Sequence, residues 1–171
     1  DFSVTLTKGL PFRPKGFEVA HEQFQLFKVE GENDVIIPVA PLKLEEGALQ
    51  VVGENFKIKF DSLSGELVSY EINGFELIKK GPEINFWRAP TDNDKGSNMI
   101  NRLGIWREVT KNVKLKSIKA SQDSPYRALI QADFELTEIG ATQKIIYLID
   151  GNGKIQIESS LELEHQKLPD L

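Results

Sequence analysis

Cysteine is absent from this chain, and its absence excludes a disulfide framework, a thiolate metal site and a cysteine nucleophile. Histidine occurs only twice, and His21 and His165 stand alone, without the spacing of a histidine metal site. Positive charge is not in excess: 21 Lys and Arg against 26 Asp and Glu leave a net charge of −5. That balance argues against a nucleic-acid surface and against docking on an anionic membrane. Long apolar runs are missing as well. None approaches the ~18 residues of a membrane-spanning helix, and the run Val35-Ile36-Ile37-Pro38-Val39-Ala40 is broken by its proline. There is no charged-then-apolar signal segment, no Gly-rich phosphate loop and no Gly-x-Ser-x-Gly elbow. The chain opens on Asp1 rather than Met, and the expectation is a piece of a longer polypeptide.

Among the 171 residues, 40% are hydrophobic, enough to bury a sizeable core in one ordinary domain or two small ones. Their dominant pattern is alternation with period two, the signature of half-buried strands. Phe56, Ile58 and Phe60 alternate with Lys57 and Lys59. Tyr126, Ala128, Ile130, Ala132, Phe134 and Leu136 form a second register. In a third, Ile155, Ile157, Leu161 and Leu163 read as a core face, with Gln156, Glu158, Glu162 and Glu164 opposite. The turns between them carry hairpin chemistry. Asn73-Gly74 tolerates the positive φ that a tight hairpin needs, Asp150-Gly151-Asn152-Gly153 does the same, and Ser62-Leu63-Ser64-Gly65 closes a third. Hairpins imply antiparallel pairing. The chain reads as mainly β.

One segment breaks the pattern. Met99, Leu103, Trp106 and Val109 recur at helical intervals, predicting one short helix within Ser97–Thr110, with Ser97 or Asn98 as N-cap. Gly104 weakens that helix by about 1 kcal/mol relative to Ala. A boundary is expected near Gly31–Glu46, where Glu30-Gly31-Glu32-Asn33-Asp34, Pro38, Pro41 and Glu45-Glu46-Gly47 cluster. Residues 1–31, with strand-like runs at Phe2–Thr7 and Phe24–Val29, then end one β domain; 32–46 form a linker; 47–171 begin another.

The densest polar cluster is Asn85-Phe86-Trp87-Arg88-Ala89-Pro90-Thr91-Asp92-Asn93-Asp94-Lys95-Gly96. Aromatic residues such as Phe86 and Trp87 stack on sugars or fill cores, and Arg88 is suited to a bidentate bond with a carboxylate. Asp92 and Asp94 fit an acid and base or a cation site. The plainer reading is that Asp and Asn before a helix bond to backbone amides, and that Arg88 pairs within the loop. A helix–loop–helix calcium site is excluded: counted from Asp92, Gly96 falls fifth instead of sixth, and Leu103 stands twelfth where a glutamate is needed. Glu162 and Glu164 share one strand face, whereas a glycosidase pair flanks a cleft from separate elements. They read as a solvated face, as does Glu45-Glu46. Nothing here is a self-sufficient active site.

The run Phe86–Gly96 resembles the signature of the large bacterial β-galactosidases of glycoside hydrolase family 2, within their C-terminal small-chain domain. Asn101-Arg102-Leu103-Gly104-Ile105-Trp106-Arg107-Glu108 resembles its continuation. Phe60-Asp61-Ser62-Leu63-Ser64-Gly65-Glu66-Leu67 is similar to the hairpin before it, and Gly16-Phe17-Glu18-Val19-Ala20-His21-Glu22-Gln23-Phe24 to the last strand of the preceding immunoglobulin-like domain. The resemblance implies an antiparallel β-sandwich, the first part of a galactose-mutarotase-like supersandwich. It implies no catalytic residue and no metal ligand here, because the family's catalytic glutamates and magnesium ligands lie on a preceding barrel. The segment from Gly96 through Ser97 and Asn98 resembles a mobile loop lent to the rim of the galactose pocket, with Gly96 its hinge. This sequence departs from the best-known members just after Gly96. Arg88, Asp92, Asn93 and Asp94 are then the anchor of that loop.

Two function classes follow. In the first, the chain is a non-catalytic segment of a β-galactosidase that acts on terminal β-galactosides together with its barrel domain, and is inactive alone. In the second, it is a freestanding carbohydrate-binding module with Trp87, or Trp106, as stacking platform; core packing is the plainer role of both. A mutarotase-like enzyme ranks last, since neither His21 nor His165 has a matching context. Truncation of a supersandwich leaves apolar faces uncovered and predicts self-association.

Overall fold

A computed structural model describes residues 1–24, 40–163 and 168–169. It divides into two compact units, residues 1–37 and 38–171. All of the expected strand Phe24–Val29 but its first residue, most of the expected linker, Glu164 and His165 lie outside the described residues.

In the first unit, β1 (Phe2–Thr5) and β2 (Glu18–Glu22) form one antiparallel pair, with Ser3 opposite His21. Every residue of both strands is exposed. Phe2 packs edge-on against Phe24, and the Arg13 guanidinium sits 5.3 Å from the Phe17 ring centre.

The second unit is built of two antiparallel sheets. One has the order β3 (Lys43–Glu45), β4 (Gln50–Val52), β5 (Phe56–Phe60), β6 (Leu67–Ile72), β7 (Phe75–Glu76). The other has the order β11 (Ile155–Leu163), β10 (Ala141–Asp150), β9 (Arg127–Leu136), β8 (Val113–Ser124). Alternation in β5, β9 and β10 places one face of each strand in the core. Val51, Ile58, Phe60 and Leu67 from one sheet share a buried cluster with Ala128, Ile130, Tyr147 and Ile149 from the other. Phe60 and Tyr147 meet edge to face at 4.9 Å. The Tyr70 hydroxyl donates to the Gly153 carbonyl at 2.7 Å, adding a polar tie between the sheets.

The turns follow their chemistry. Asn73 and Gly74 both take positive φ, 51° and 77°, between β6 and β7. Asp61 Oδ1 accepts from the amides of Leu63 and Ser64 and sets the turn from β5 to β6. Asp150 Oδ1 accepts from Asn152 and Lys154 in the β10–β11 hairpin.

Three expectations need correction. The predicted core face of β11 is covered only in part: Ile155 and Leu161 are half-buried against the two core clusters, whereas Ile157 and Leu163 are exposed. Tyr126, predicted in register with the β9 core face, precedes the strand and is exposed, because the turn there directs it to solvent. Within the segment read as linker, Leu42 is buried and Lys43–Glu45 form β3. Gln122 of β8 bonds this stretch twice, accepting from the Leu44 amide and donating to the Leu42 carbonyl.

Candidate functional site

Between β7 and β8 the chain crosses from one sheet to the other through an irregular segment and a set of short helices. Gly81 makes this crossing close. A Cβ at that position would stand 2.1 Å from the Leu67 carbonyl oxygen, so only glycine lets the segment lie against the start of β6. Pro82–Asn85 then pass beside a cavity of about 410 Å³ that is also lined by Glu66, Leu115, Phe134 and Tyr147.

The helical region begins at Asp92, earlier than predicted, and is three short helices instead of one. They are α1 (Asp92–Gly96), α2 (Met99–Arg102) and α3 (Ile105–Glu108), followed by a 3₁₀ turn over Val109–Asn112. Two backbone features divide them. Asn98 adopts left-handed φ, 58°, and stands at the N-cap of α2 without a side-chain bond to a helix amide. Gly104 stands at the start of α3, where a Cβ would approach the Ile100 carbonyl oxygen to 2.6 Å. Glycine at 104 is therefore required by the close turn, which reverses the propensity argument for alanine. The apolar stripe itself was legible: Trp106 and Val109 are buried, while Met99 and Leu103 are half-buried. Trp106 anchors a second core cluster with Leu136, Ile139 and Ala141, and its indole N–H donates to the Pro169 carbonyl at 3.2 Å.

Thr91 caps α1. Its hydroxyl oxygen accepts from the Asp94 amide, and the Asp94 carboxylate accepts from the Thr91 amide at 2.7 Å, a reciprocal capping box. Arg88 adds two bonds to the same carboxylate, Nη1 to Oδ2 at 2.5 Å and Nη2 to Oδ1 at 3.0 Å. The Arg88 guanidinium, then the Thr91 amide and hydroxyl, hold the Asp94 carboxyl well below the usual carboxylate range. Asp94 in turn raises Arg88 above its ordinary value. Thr91 was overlooked as a site residue, although Thr-x-x-Asp before a helix was its signal.

The remaining candidates divide clearly. Asp92 lies on the surface and pairs with Lys95 at 3.1 Å. Asn93 is exposed and contributes its carbonyl to the Ser97 amide. Ser97 donates its hydroxyl to the Asp94 carbonyl and receives Arg102 Nε on its own carbonyl. Asn98 Oδ1 accepts from Asn101 Nδ2 at 2.5 Å. Gly96 is exposed, has no positive φ and would meet nothing with an added Cβ, so this conformation alone does not require glycine. Trp87 is half-buried against the Trp106 cluster. His21 is exposed and 3.3 Å from Glu18; Glu162 is exposed on β11.

Both Asp94 oxygens are thus taken by Arg88 and Thr91, and Asp92 pairs with Lys95. Among the described residues no three His, Asp or Glu side chains converge as metal ligands.

Fold and site together define an antiparallel β-sandwich segment with an ion-paired, capped loop between its sheets. The family model described as "Beta galactosidase small chain" matches residues 52–171. The β-galactosidase of Priestia megaterium is 31% identical over 161 residues, covering 93% of this chain and 16% of that protein. That of Lactobacillus delbrueckii subsp. bulgaricus is 33% identical over 160 residues, covering 89% and 15%. A β-galactosidase small subunit of Latilactobacillus sakei is 32% identical over 75 residues, covering 44% and 24%. This chain belongs to the β-galactosidase small-chain family, and it spans 15–16% of the length of the first two relatives.

Proposed function

We propose that this chain serves as a non-catalytic segment of a longer β-galactosidase, and that the loop Gly96-Ser97-Asn98 contributes to the rim of its galactoside pocket. The substrate is a terminal β-galactoside, and the partner is a catalytic barrel domain elsewhere in the parent. That barrel, not this segment, supplies the acid/base and nucleophile carboxylates and holds the magnesium.

The observation that carries the reading is the lock on Asp94. A carboxylate held by a bidentate arginine and a capping box fixes the first turn of α1, so the exposed residues just beyond start from a rigid base. Pre-positioned polar groups at a pocket rim contribute orientation without chemistry of their own. Asp92 and Asn93 complete the anchor through Lys95 and the Ser97 amide.

The reading is tested on the longer polypeptide that carries this segment. Asp94→Asn is expected to raise KM for a nitrophenyl β-galactoside about tenfold with little change in kcat, the pattern of lost binding. Unchanged KM and kcat would remove the rim role. The isolated chain is expected to hydrolyse no galactoside, and turnover by the pure chain would overturn the non-catalytic assignment.

A further inference from the structure

Asparagine precedes glycine in two turns of the second unit, at Asn73-Gly74 between β6 and β7 and at Asn152-Gly153 between β10 and β11; Asp150-Gly151 is a related pair. In such a pair the glycine nitrogen can approach the side-chain carbonyl carbon before it, because glycine has no Cβ in the way. The three pairs differ in what holds that nitrogen. The Gly151 amide donates to the Tyr126 carbonyl at 3.0 Å, and the Gly153 amide to the Asp150 carbonyl at 2.9 Å. Both glycines are buried, and Gly153 also accepts the Tyr70 hydroxyl. At Gly74, by contrast, no acceptor takes the amide among the described residues. Asn73 and Gly74 are exposed, and a Cβ on Gly74 would meet nothing within 4 Å. The pairing behind this turn is short, Glu71 opposite Glu76 and Ile72 opposite Phe75, whereas β10 and β11 run in unbroken register from Ala141 to Ile149. A turn closed by so short a pairing opens locally at little cost.

We propose that Asn73 is a site of spontaneous deamidation in this chain, and that it converts ahead of Asn152. The Gly74 nitrogen, having lost its proton to hydroxide, attacks the side-chain carbonyl carbon of Asn73. A new C–N bond closes a cyclic imide, the bond from that carbon to the side-chain nitrogen breaks, and the nitrogen takes a proton from water and leaves as ammonia. Water then opens the ring at either carbonyl. Opening at the side-chain carbon leaves aspartate. Opening at the main-chain carbon leaves isoaspartate, with the chain now running through the former side chain. The two products load the turn differently. Aspartate tolerates the positive φ of 51° that Asn73 adopts. Isoaspartate adds a carbon to the main chain of a two-residue turn, whose length sets the pairing register of Phe75 and Glu76. Either product also places a further negative charge near Glu71 in a chain of net charge −5. This inference stands apart from the galactosidase reading, and neither fails with the other.

Trypsin releases residues 60–79 and 145–154 as separate peptides, and each holds a single asparagine, Asn73 and Asn152. The full chain is held in mildly alkaline buffer, folded or in urea, then digested, and both peptides are followed by mass spectrometry. In the folded chain Asn73 is expected to convert at least about fivefold faster than Asn152, the factor that one typical hydrogen bond at the Gly153 amide withholds. In urea, where both turns are lost, the two rates should draw level. Fragmentation should find both aspartate and isoaspartate at position 73. No conversion at Asn73, equal rates in the folded chain, or Asn152 converting first overturns the proposal. A preference that persists in urea would show that the fold does not set it, and aspartate alone at 73 would exclude the cyclic imide; either result overturns it too. Gly74→Ala should slow the change at Asn73 and leave Asn152 as it was, and an unchanged rate would remove the Gly74 nitrogen as the attacking atom. The comparison of the two peptides from the unaltered chain decides even if Gly74→Ala does not fold.

Discussion

Replacing Gly81 with alanine tests how the crossing segment is seated. The added Cβ would lie 2.1 Å from the Leu67 carbonyl oxygen and 3.1 Å from its carbon. Both are backbone atoms, so no rotamer change relieves the overlap and the segment or the start of β6 must shift. Forcing extra volume into a packed site costs about 1–3 kcal/mol. A backbone collision belongs at the upper end, and reduced freedom of the unfolded chain offsets it by roughly 0.4–1 kcal/mol. The expected net loss is about 2 kcal/mol, or about 4–8 °C in Tm for a domain of this size. Gly74→Ala is the control, because Gly74 has φ 77° and open space around it. It isolates backbone strain, about 1–2 kcal/mol before the same offset. Urea unfolding with an unchanged m-value measures both. If Gly81→Ala unfolds at the wild-type midpoint, the segment is not pressed against Leu67 and the account of the crossing is wrong.

Trp106 is 3% exposed, and Trp106→Ala is expected to cost about 3–5 kcal/mol by chemical denaturation; a loss under 1 kcal/mol would contradict its place at the centre of the second core. Tyr70→Phe should cost about 1 kcal/mol for the bond to Gly153, and a neutral result would mean the sheets need no such tie. The depressed Asp94 contributes stability above its ordinary pKa of 3.8, and this is lost as pH falls through the lowered folded value. Asp94→Asn should therefore flatten part of the acid dependence of the urea midpoint below pH 3.8, and an identical profile would show that the Arg88 pairing does not persist in solution.

Much of the second unit was legible because its strands obey one simple rule. In β5, β9 and β10 one face is covered by the other sheet, so alternation in sequence became alternation in burial. β11 follows the same rule and still exposes Ile157, since coverage depends on where the opposing layer stops. β8 escaped notice because two register shifts break its period, and β3 because three residues carry too little pattern. The helical stripe was visible, yet its division depends on the close approach of Gly104 to Ile100, a tertiary fact. At the site, pairing of Arg88 within the loop was foreseen from residue chemistry. Its convergence with the Thr91 cap on one carboxylate needed coordinates.

The proposed role of this chain, as part of a larger galactoside hydrolase, is open to a direct experiment. An antibody raised against the chain, applied to its source, tests that role by immunoblot and by precipitation of β-galactosidase activity. A band well above 19.3 kDa is expected, with activity in the precipitate. A band at 19.3 kDa with no precipitated activity would contradict that role.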